Sequence, residues 1–184
     1  RPYGGGPGMV MAVEPLRSAI RAARDAAVAG TRVGLMSPQG RPIDQRALRE
    51  LAARPGLILV CGRYEGIDER ICADFIDFEI SIGDYVLTGG ELAAAVIIDS
   101  VVRLIPGVIG DGESLLSDSF MDGELDCPYY TRPPEYRGLR VPEDLLSGDH
   151  KRVEAWRRRA SARLTRERRP DLLDEASRRR KKND

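Results

Sequence analysis

The feature that most constrains the fold is a regular alternation of short apolar runs and amphipathic segments between Thr31 and Ile105. The apolar runs are typical of buried parallel strands, whereas the segments between them repeat apolar residues at helical spacing. Strand followed by helix, repeated along the chain, predicts an α/β fold with a parallel sheet and helices packed against it. The predicted elements are, in order, TRVGLM, DQRALRELAA, GLILVC, IDERICADFI, FEISIG and the apolar segment that begins ELAAAVII.

Two further helices are predicted on either side of this alternation. Apolar residues at helical spacing predict one helix from about Pro15 to Ala29, with Gly30 placed to end it. The other begins at HKRVEAWRRRASARL and stops before Pro170. Asp149 stands just before this last helix, and Asp44 is the first residue of DQRALRELAA. Both are therefore predicted N-caps.

Three glycine-containing loops follow the three predicted strands: a turn at SPQG, then CGRYEG, then GDYVLTGG. In parallel sheets, ligands bind outside the carboxyl ends of the strands, and glycine lets the backbone approach them closely. The third loop and its helix, Ser81–Ser100, contain no Lys or Arg, which argues against a bound phosphate. Thr88 and Glu91 have the spacing of a capping box, so a plain strand-to-helix connection is the alternative interpretation.

The charge is zero overall but unevenly distributed. Residues 151–184 contain 14 basic and 6 acidic side chains, whereas residues 1–150 contain 15 basic and 23 acidic. A basic tail on an acidic body indicates a polyanionic partner such as nucleic acid, and a solvated helix face is the alternative. One histidine and three cysteines without ligand spacing argue against a metal site and for a reducing, cytoplasmic location. The longest apolar stretch, which ends at Ile105, is too short and too polar to span a membrane.

The candidate acids and bases are Glu65 and Asp84 in strand-end loops, Arg103 near the end of the apolar helix, and Asp118. Pro106 is expected to end that helix, and the polar, Pro- and Tyr-rich residues 106–140 predict a linker or lid. These residues do not form a Ser/His/Asp set, so hydrolase chemistry of that kind is not indicated. Each carboxylate, taken singly, is more often a surface group or a helix cap than a catalytic group.

Seven motifs in order and at matching spacing carry a resemblance that no single one of them could: RPYGGGPGM, SPQG, LILVCGRYEGIDER, SIGDYVLTGGE, RLIPGVIG, DSF…G…LDCPYYTRP and LLSGDH…W. Together they resemble the bacterial tRNA (guanine-N1)-methyltransferase family, the TrmD type within the SPOUT superfamily. The match extends from Arg1 to about Leu173. Because the family has roughly 50 residues before this point, the resemblance predicts that an N-terminal segment precedes Arg1.

The resemblance implies a parallel α/β sheet with a deep trefoil knot at its carboxyl end and a small C-terminal helical domain. It divides the chain into a knotted cofactor-binding domain at 1–109, a flexible linker or lid at 110–130, and a basic tRNA-binding domain at 131–184. It also implies an obligate homodimer whose active site is shared by both subunits. The expected reaction moves a methyl group from S-adenosylmethionine to N1 of the guanosine just 3′ of a tRNA anticodon.

The resemblance also assigns roles to individual positions. Asp118 matches the proposed general base, Arg103 the residue that steadies the guanine, and Glu65 a carboxylate near the methionine end of the cofactor. No metal ligand is assigned, although the family shows magnesium dependence. The implied cofactor-binding residues are Pro38, Gly40, Gly62, Tyr64, Ile82, Gly83, Asp84, Tyr85, Val86, Leu87, Gly89 and Gly90.

Two alternatives follow from the same residues. The first is a related knotted methyltransferase acting at another RNA position, against which the match over DSFMDGELDCPYYTRP argues. The second is a non-catalytic RNA-binding protein on the same scaffold, against which the presence of Asp118 and Arg103 argues. Calorimetry with S-adenosylmethionine separates an enzyme from a non-catalytic binding protein.

Overall fold

A computed structural model describes residues 2–109 and 117–173 of the chain. The chain divides into two compact units, Arg1–Gly110 and Asp111–Asp184. The first contains the α/β alternation, and the second contains a small hairpin and the C-terminal helices. Among the described residues, no helix combines the length and the apolar character needed to cross a membrane.

The first unit is a three-stranded parallel sheet with two helices on each face, which confirms the predicted α/β architecture. The strand order is β2-β1-β3, so the longest strand is central and both neighbours pair with it in parallel. The elements are α1 (Val13–Asp25), β1 (Arg32–Pro42), α2 (Gln45–Ala52), β2 (Leu57–Cys61), α3 (Glu69–Phe75), β3 (Phe78–Ser81) and α4 (Glu91–Val102).

The two faces of the sheet bury separate apolar clusters. On one face, α2 and α4 cover the central strand, with Ile97 fully buried beside Met36 and Ile80. On the other face, α1 and α3 pack together over Val33, and Ile71 is fully buried there. Burying both faces explains why the strands are apolar runs rather than alternating patterns. It also leaves the carboxyl ends of the strands as the open edge of this unit.

The structure corrects the predicted bounds of two helices. Helix α1 begins at Val13 and ends at Asp25, not at Pro15 and Ala29. The Val28 carbonyl accepts bonds from the backbone N–H and the hydroxyl of Thr31, so the chain turns at Ala29 and Gly30 after the helix has ended. Helix α4 stops at Val102, ahead of Pro106, because a tight turn follows it.

The predicted SPQG turn is also wrong as stated, because β1 continues through these residues to Pro42. They form an irregularity inside the strand: Met36 and Arg41 both pair with Ile80, and the residues between them project from the ladder. Gly40 lies at this irregularity. A Cβ on Gly40 would collide with the backbone of Glu79 and Ile80, so glycine is required for close strand packing there.

The predicted capping box is wrong. Gly90 is the N-cap of α4, and no side chain caps this helix. The N–H of Gly90 donates instead to the carbonyl of Gly62 at 3.0 Å. Two predicted caps are confirmed: Asp44 accepts from Ala47 N at 2.8 Å in front of α2, and Asp149 caps the C-terminal helix.

The second unit contains β4 (Glu135–Tyr136), β5 (Leu139–Arg140), α5 (Glu143–Leu146) and α6 (His150–Arg168). Strands β4 and β5 form an antiparallel hairpin. Helix α6 ends before Pro170, as predicted, and residues 170–173 are again helical. The segment from Ser117 to Cys127 packs on α6 through Ser161 and Thr165, which bond to the backbone of Leu125. Of the predicted linker at 110–130, residues 110–116 lie outside the described residues.

Candidate active site

A cavity of about 360 Å³ lies at the carboxyl ends of the three parallel strands. Its walls come from the projecting residues of β1, from the loop after β2, and from the loop between β3 and α4. These are the three loops that the sequence places at strand ends. A cavity of this size is within the range of small-molecule and cofactor sites.

The loop after β2 is held in place by the N-terminal segment. Glu65 N donates to the Met9 carbonyl at 3.1 Å, and Met11 pairs with Ile67 in a parallel bridge. Tyr64 has φ 62°, a left-handed conformation that is uncommon for a residue with a side chain. A backbone held in such a conformation by its neighbours is a frequent feature of ligand sites. The bracing therefore fixes Tyr64 and Glu65 at the mouth of the cavity.

The loop between β3 and α4 is shaped by Ser81 and two glycines. The Ser81 hydroxyl accepts from Gly83 N at 3.1 Å and donates to the Gly83 carbonyl at 3.0 Å. Gly83 has φ 147°, which a side chain rarely adopts. A Cβ on Gly90 would lie 2.8 Å from Cys61 Cα, so glycine allows α4 to begin directly against the end of β2.

The two glycine loops are also joined to each other. Arg63 pairs with Gly89 in an antiparallel bridge, and its side chain donates to Glu91 at 2.8 Å. Backbone hydrogen bonding and the Arg63 guanidinium hold the pKa of Glu91 below its usual range. This link replaces the predicted capping role of Glu91. Sequence reasoning missed it because the partners are 28 positions apart and neither carries a local signal of pairing.

The charge on the cavity wall is predominantly negative. The wall includes Glu65, Glu69 and Glu79, whereas its one cation among the described residues, Arg63, is already paired with Glu91. Negative walls favour a cationic ligand and disfavour a phosphate. The absence of Lys and Arg from the β3–α4 loop therefore agrees with the negative charge of the cavity wall.

Most of the residues predicted to bind a cofactor lie around this one cavity. Gly40 and Asp84 are the exceptions among the described residues: Gly40 packs against β3, and Asp84 is exposed beside the cavity wall. The wall also contains Gln39 and Cys72, which sequence reasoning missed, and burial raises the pKa of the Cys72 thiol. The predicted residues that line it are Pro38, Gly62, Tyr64, Ile82, Gly83, Tyr85, Val86, Leu87, Gly89 and Gly90.

The three predicted catalytic residues have different locations. Glu65 lines the cavity. Arg103 is the C-cap of α4, where its N–H donates to the Asp99 carbonyl at 3.3 Å. Asp118 belongs to the second unit and lines a groove of about 240 Å³ there.

The groove around Asp118 has an ordered polar wall. The Tyr129 hydroxyl donates to Asp126 at 2.6 Å, and Asp126 N donates to the Ser119 hydroxyl at 2.9 Å. The bond to Asp126 raises the pKa of Tyr129. Arg157 contributes positive charge to the same wall. Hydrogen bonds thus fix the segment that follows Asp118.

A protein-built metal centre is not evident in residues 2–109 and 117–173, which contain no cluster of three or more His, Cys, Asp or Glu side chains suited to an ion.

Comparison with known proteins gives a consistent match over almost the whole chain. The family described as "tRNA (Guanine-1)-methyltransferase TrmD" matches residues 1–175. A tRNA (guanine-N(1)-)-methyltransferase of Chromobacterium violaceum is 58% identical over 179 residues, which cover 95% of this chain and 70% of that protein. Proteins of the same name from Ralstonia nicotianae and Hahella chejuensis are 56% and 58% identical, and the match covers 68% of each.

Proposed function

The chain belongs to the tRNA (guanine-1)-methyltransferase TrmD family, and is thus a tRNA (guanine-N1)-methyltransferase that uses S-adenosylmethionine; we propose that its target is the guanosine immediately 3′ of the anticodon. We further propose that the cavity at the carboxyl ends of the strands holds the methyl donor. The observation that carries this assignment is the negative charge of Glu65, Glu69 and Glu79 on the wall of a cavity bounded by glycine loops, because the ligand is a sulfonium cation with an adenosyl body.

The residues of the cavity fit this cofactor. Gly62, Gly83 and Gly90 bring backbone groups to the wall, where they would bond to the adenine edge and the ribose. Tyr64 and Leu87 supply apolar surface, and Glu65 supplies charge for the methionine end. When bound, the cofactor supplies an electrophilic methyl group, and the chain has to hold the acceptor in line with it.

The remaining chemistry is proton transfer from the acceptor. Guanine N1 carries a proton and is a poor nucleophile until that proton leaves, so a carboxylate within hydrogen-bond reach is needed. We assign this role to Asp118, whose segment is fixed by Ser119 and Asp126. Negative charge then develops toward O6 of the base, where Arg103 would stabilise it. The base must leave its stack to reach a buried methyl group.

The proposal includes a homodimer with a shared site and the trefoil knot of the family. Helix α4 has apolar side chains on its exposed side as well as on its buried side, and Leu92, Val96 and Ile98 are 69%, 48% and 54% exposed. Exposed apolar side chains grouped on one helix are typical of a protein interface. The knot is supported by family membership. Magnesium dependence is part of the proposal, but we assign no step to a protein-held ion.

We propose that the second unit binds the tRNA. Helix α6 exposes Arg157, Arg163 and Arg166, for which no carboxylate partner occurs in the part of the chain that the structure describes. In contrast, Arg152 and Arg159 are both paired with Asp144, at 2.9 and 3.0 Å. Unpaired arginines on one helix suit phosphate contacts, which give affinity without sequence preference.

The general-base assignment is tested with Asp118→Asn. This variant should retain its affinity for S-adenosylmethionine, measured by calorimetry, and lose about 10²-fold or more in single-turnover methylation. A product digest should place the methyl group on N1 of the guanosine 3′ of the anticodon. Near-normal turnover would show that Asp118 is not the base, and a methyl group elsewhere would contradict the target.

The shared site is tested by mixing two inactive variants. Gly62→Leu would fill the cavity, and the backbone has room for it because a Cβ at Gly62 meets only Ile67 at 3.6 Å. If each site combines the cavity of one protomer with Asp118 of its partner, mixed dimers of Gly62→Leu and Asp118→Asn regain one intact site. Recovery of activity on mixing supports this arrangement, and none in verified mixed dimers contradicts it.

A further inference from the structure

The hairpin of the second unit has an unusual residue at its turn. Arg137 and Gly138 connect β4 to β5 with φ 52° and 79°, so both central positions are left-handed. Two-residue turns of this kind favour Asn-Gly or Gly-Gly, because a larger side chain is disfavoured at positive φ. An arginine at this position is therefore unfavourable for the turn itself, and its presence there points to a role outside folding.

Arg137 lies against the neighbouring aromatic ring. Its guanidinium carbon is 5.3 Å from the ring centroid of Tyr136, and that ring is 60% exposed. The hairpin beneath them is closed by the Glu135–Arg140 ion pair at 2.7 Å and by a Val141 N to Pro134 carbonyl bond at 2.9 Å. The Tyr136 ring and the Arg137 guanidinium, together called the tip of the hairpin, are therefore two planar groups held by a closed hairpin.

The charge around the tip selects among ligands. Residues 131–140 are all exposed and contain Arg132, Arg137 and Arg140 but only one acid, Glu135, which is paired with Arg140. A positive surface combined with planar side chains suits unpaired nucleotides, whose bases stack on aromatic rings and on guanidinium planes. A phosphate alone would need the charge and not the ring.

We propose that the Tyr136–Arg137 tip stacks on an unpaired base of the tRNA, as a contact separate from the phosphate contacts of α6. The inference rests on the proposed function, in that it takes tRNA as the substrate. In this proposal the hairpin contacts a base of the tRNA, whereas the arginines of α6 contact its phosphate backbone.

The test is titration of the protein with unmodified tRNA transcript at several salt concentrations. Tyr136→Leu should weaken binding about tenfold, the usual scale for one lost stacking contact, and Tyr136→Phe should bind within about twofold of wild type. Because no phosphate contact is removed, the slope of log K against log salt should stay unchanged for Tyr136→Leu. The matched control Arg163→Ala on α6 should reduce that slope by about one.

A second variant separates binding from folding. Arg137→Asn creates the Asn-Gly turn that this geometry favours, so its thermal midpoint should equal or exceed that of wild type. Its affinity for tRNA should nevertheless fall about fivefold or more. Retention of wild-type affinity by this variant and by Tyr136→Leu, while Arg163→Ala weakens binding, would overturn the hairpin contact and leave tRNA binding intact.

Two further outcomes have defined meanings. Wild-type affinity in Arg163→Ala and in both hairpin variants would contradict the tRNA-binding assignment of the unit as well as the hairpin contact. A change of oligomeric state in Tyr136→Leu, measured by sedimentation without loss of tRNA affinity, would identify the tip as a protein contact and overturn the proposal.

Discussion

Replacement of Thr165 by valine should lower the free energy of unfolding of the second unit by about 2 kcal/mol. The Thr165 side chain is fully buried; its hydroxyl accepts from Leu125 N at 2.9 Å and donates to the Ser161 carbonyl at 2.9 Å. Valine keeps the volume but leaves the Leu125 N–H buried without an acceptor, which costs about 1–3 kcal/mol. The Ser161 carbonyl loses less, because as a helical carbonyl it retains its backbone partner.

The assay is urea unfolding followed by the fluorescence of Trp156, the only tryptophan in the chain and a residue of α6. With a slope of about 1 kcal/mol/M for a unit of this size, the midpoint should fall by about 2 M. The control Thr165→Ser keeps the hydroxyl and removes only a methyl group, so its loss should be about 1 kcal/mol.

The same change should also affect catalysis, because Leu125 is in the segment that carries Asp118. Under conditions where Thr165→Val is folded, methylation should slow while the affinity for S-adenosylmethionine stays the same. Equal midpoints for Thr165→Val and Thr165→Ser would refute the reasoning, since the lost hydroxyl would then have no consequence.

Three smaller predictions concern the first unit and the cysteines. Gly90→Ala should lower both stability and cofactor affinity, because its Cβ would lie 2.8 Å from Cys61 Cα and neither backbone can yield cheaply. The Arg70 side chain lowers the pKa of Asp68 to about 2, below its unfolded value, so the stability that Asp68 contributes is present above about pH 4. It is lost as the pH falls toward 2, and the difference in thermal midpoint between wild type and Asp68→Asn should shrink over that range. Burial raises the pKa of Cys127, so its alkylation at pH 7 should be much slower in the native protein than in urea.

Each of these has a contradicting result. Gly62→Ala is the control for Gly90→Ala because its Cβ makes only ordinary contact, and equal stability of the two variants would refute the steric argument. A pH-independent difference for Asp68→Asn would show that the carboxylate acts through its shape rather than its charge. Fast native alkylation of Cys127 would show that the thiol is reached by solvent.

Local patterns predicted the elements whose stability is itself local or repetitive. The strand–helix alternation gave the parallel sheet because strands buried on both faces have to be apolar throughout. Asp44 and Asp149 were predictable caps because their partners are within three residues. The three strand-end loops gave the position of the cavity, since parallel strands bring their carboxyl ends to one edge.

Predictions from local patterns were wrong where a residue forms a hydrogen bond or strand pair with a partner far away in the sequence. Thr88 has the right spacing for a cap, yet Gly90 takes that position because its N–H reaches the Gly62 carbonyl at 3.0 Å. Glu91 pairs with Arg63, 28 positions away, instead of reaching back to Thr88. The SPQG residues extend β1 because the strand pairs again with Ile80 after the irregularity.

The sequence by itself therefore determined the α/β class, the edge of the sheet at which the cavity lies, and the absence of Lys and Arg from the β3–α4 loop. Only the tertiary structure decided that Arg63 neutralises Glu91, that the N-terminal segment braces Glu65, and that Thr165 holds the Asp118 segment. The physical reason is the range of the interactions. Periodicity and capping act within a few residues and leave a pattern in the chain. A hydrogen bond between residues 28 or 40 positions apart depends on topology and leaves no such pattern.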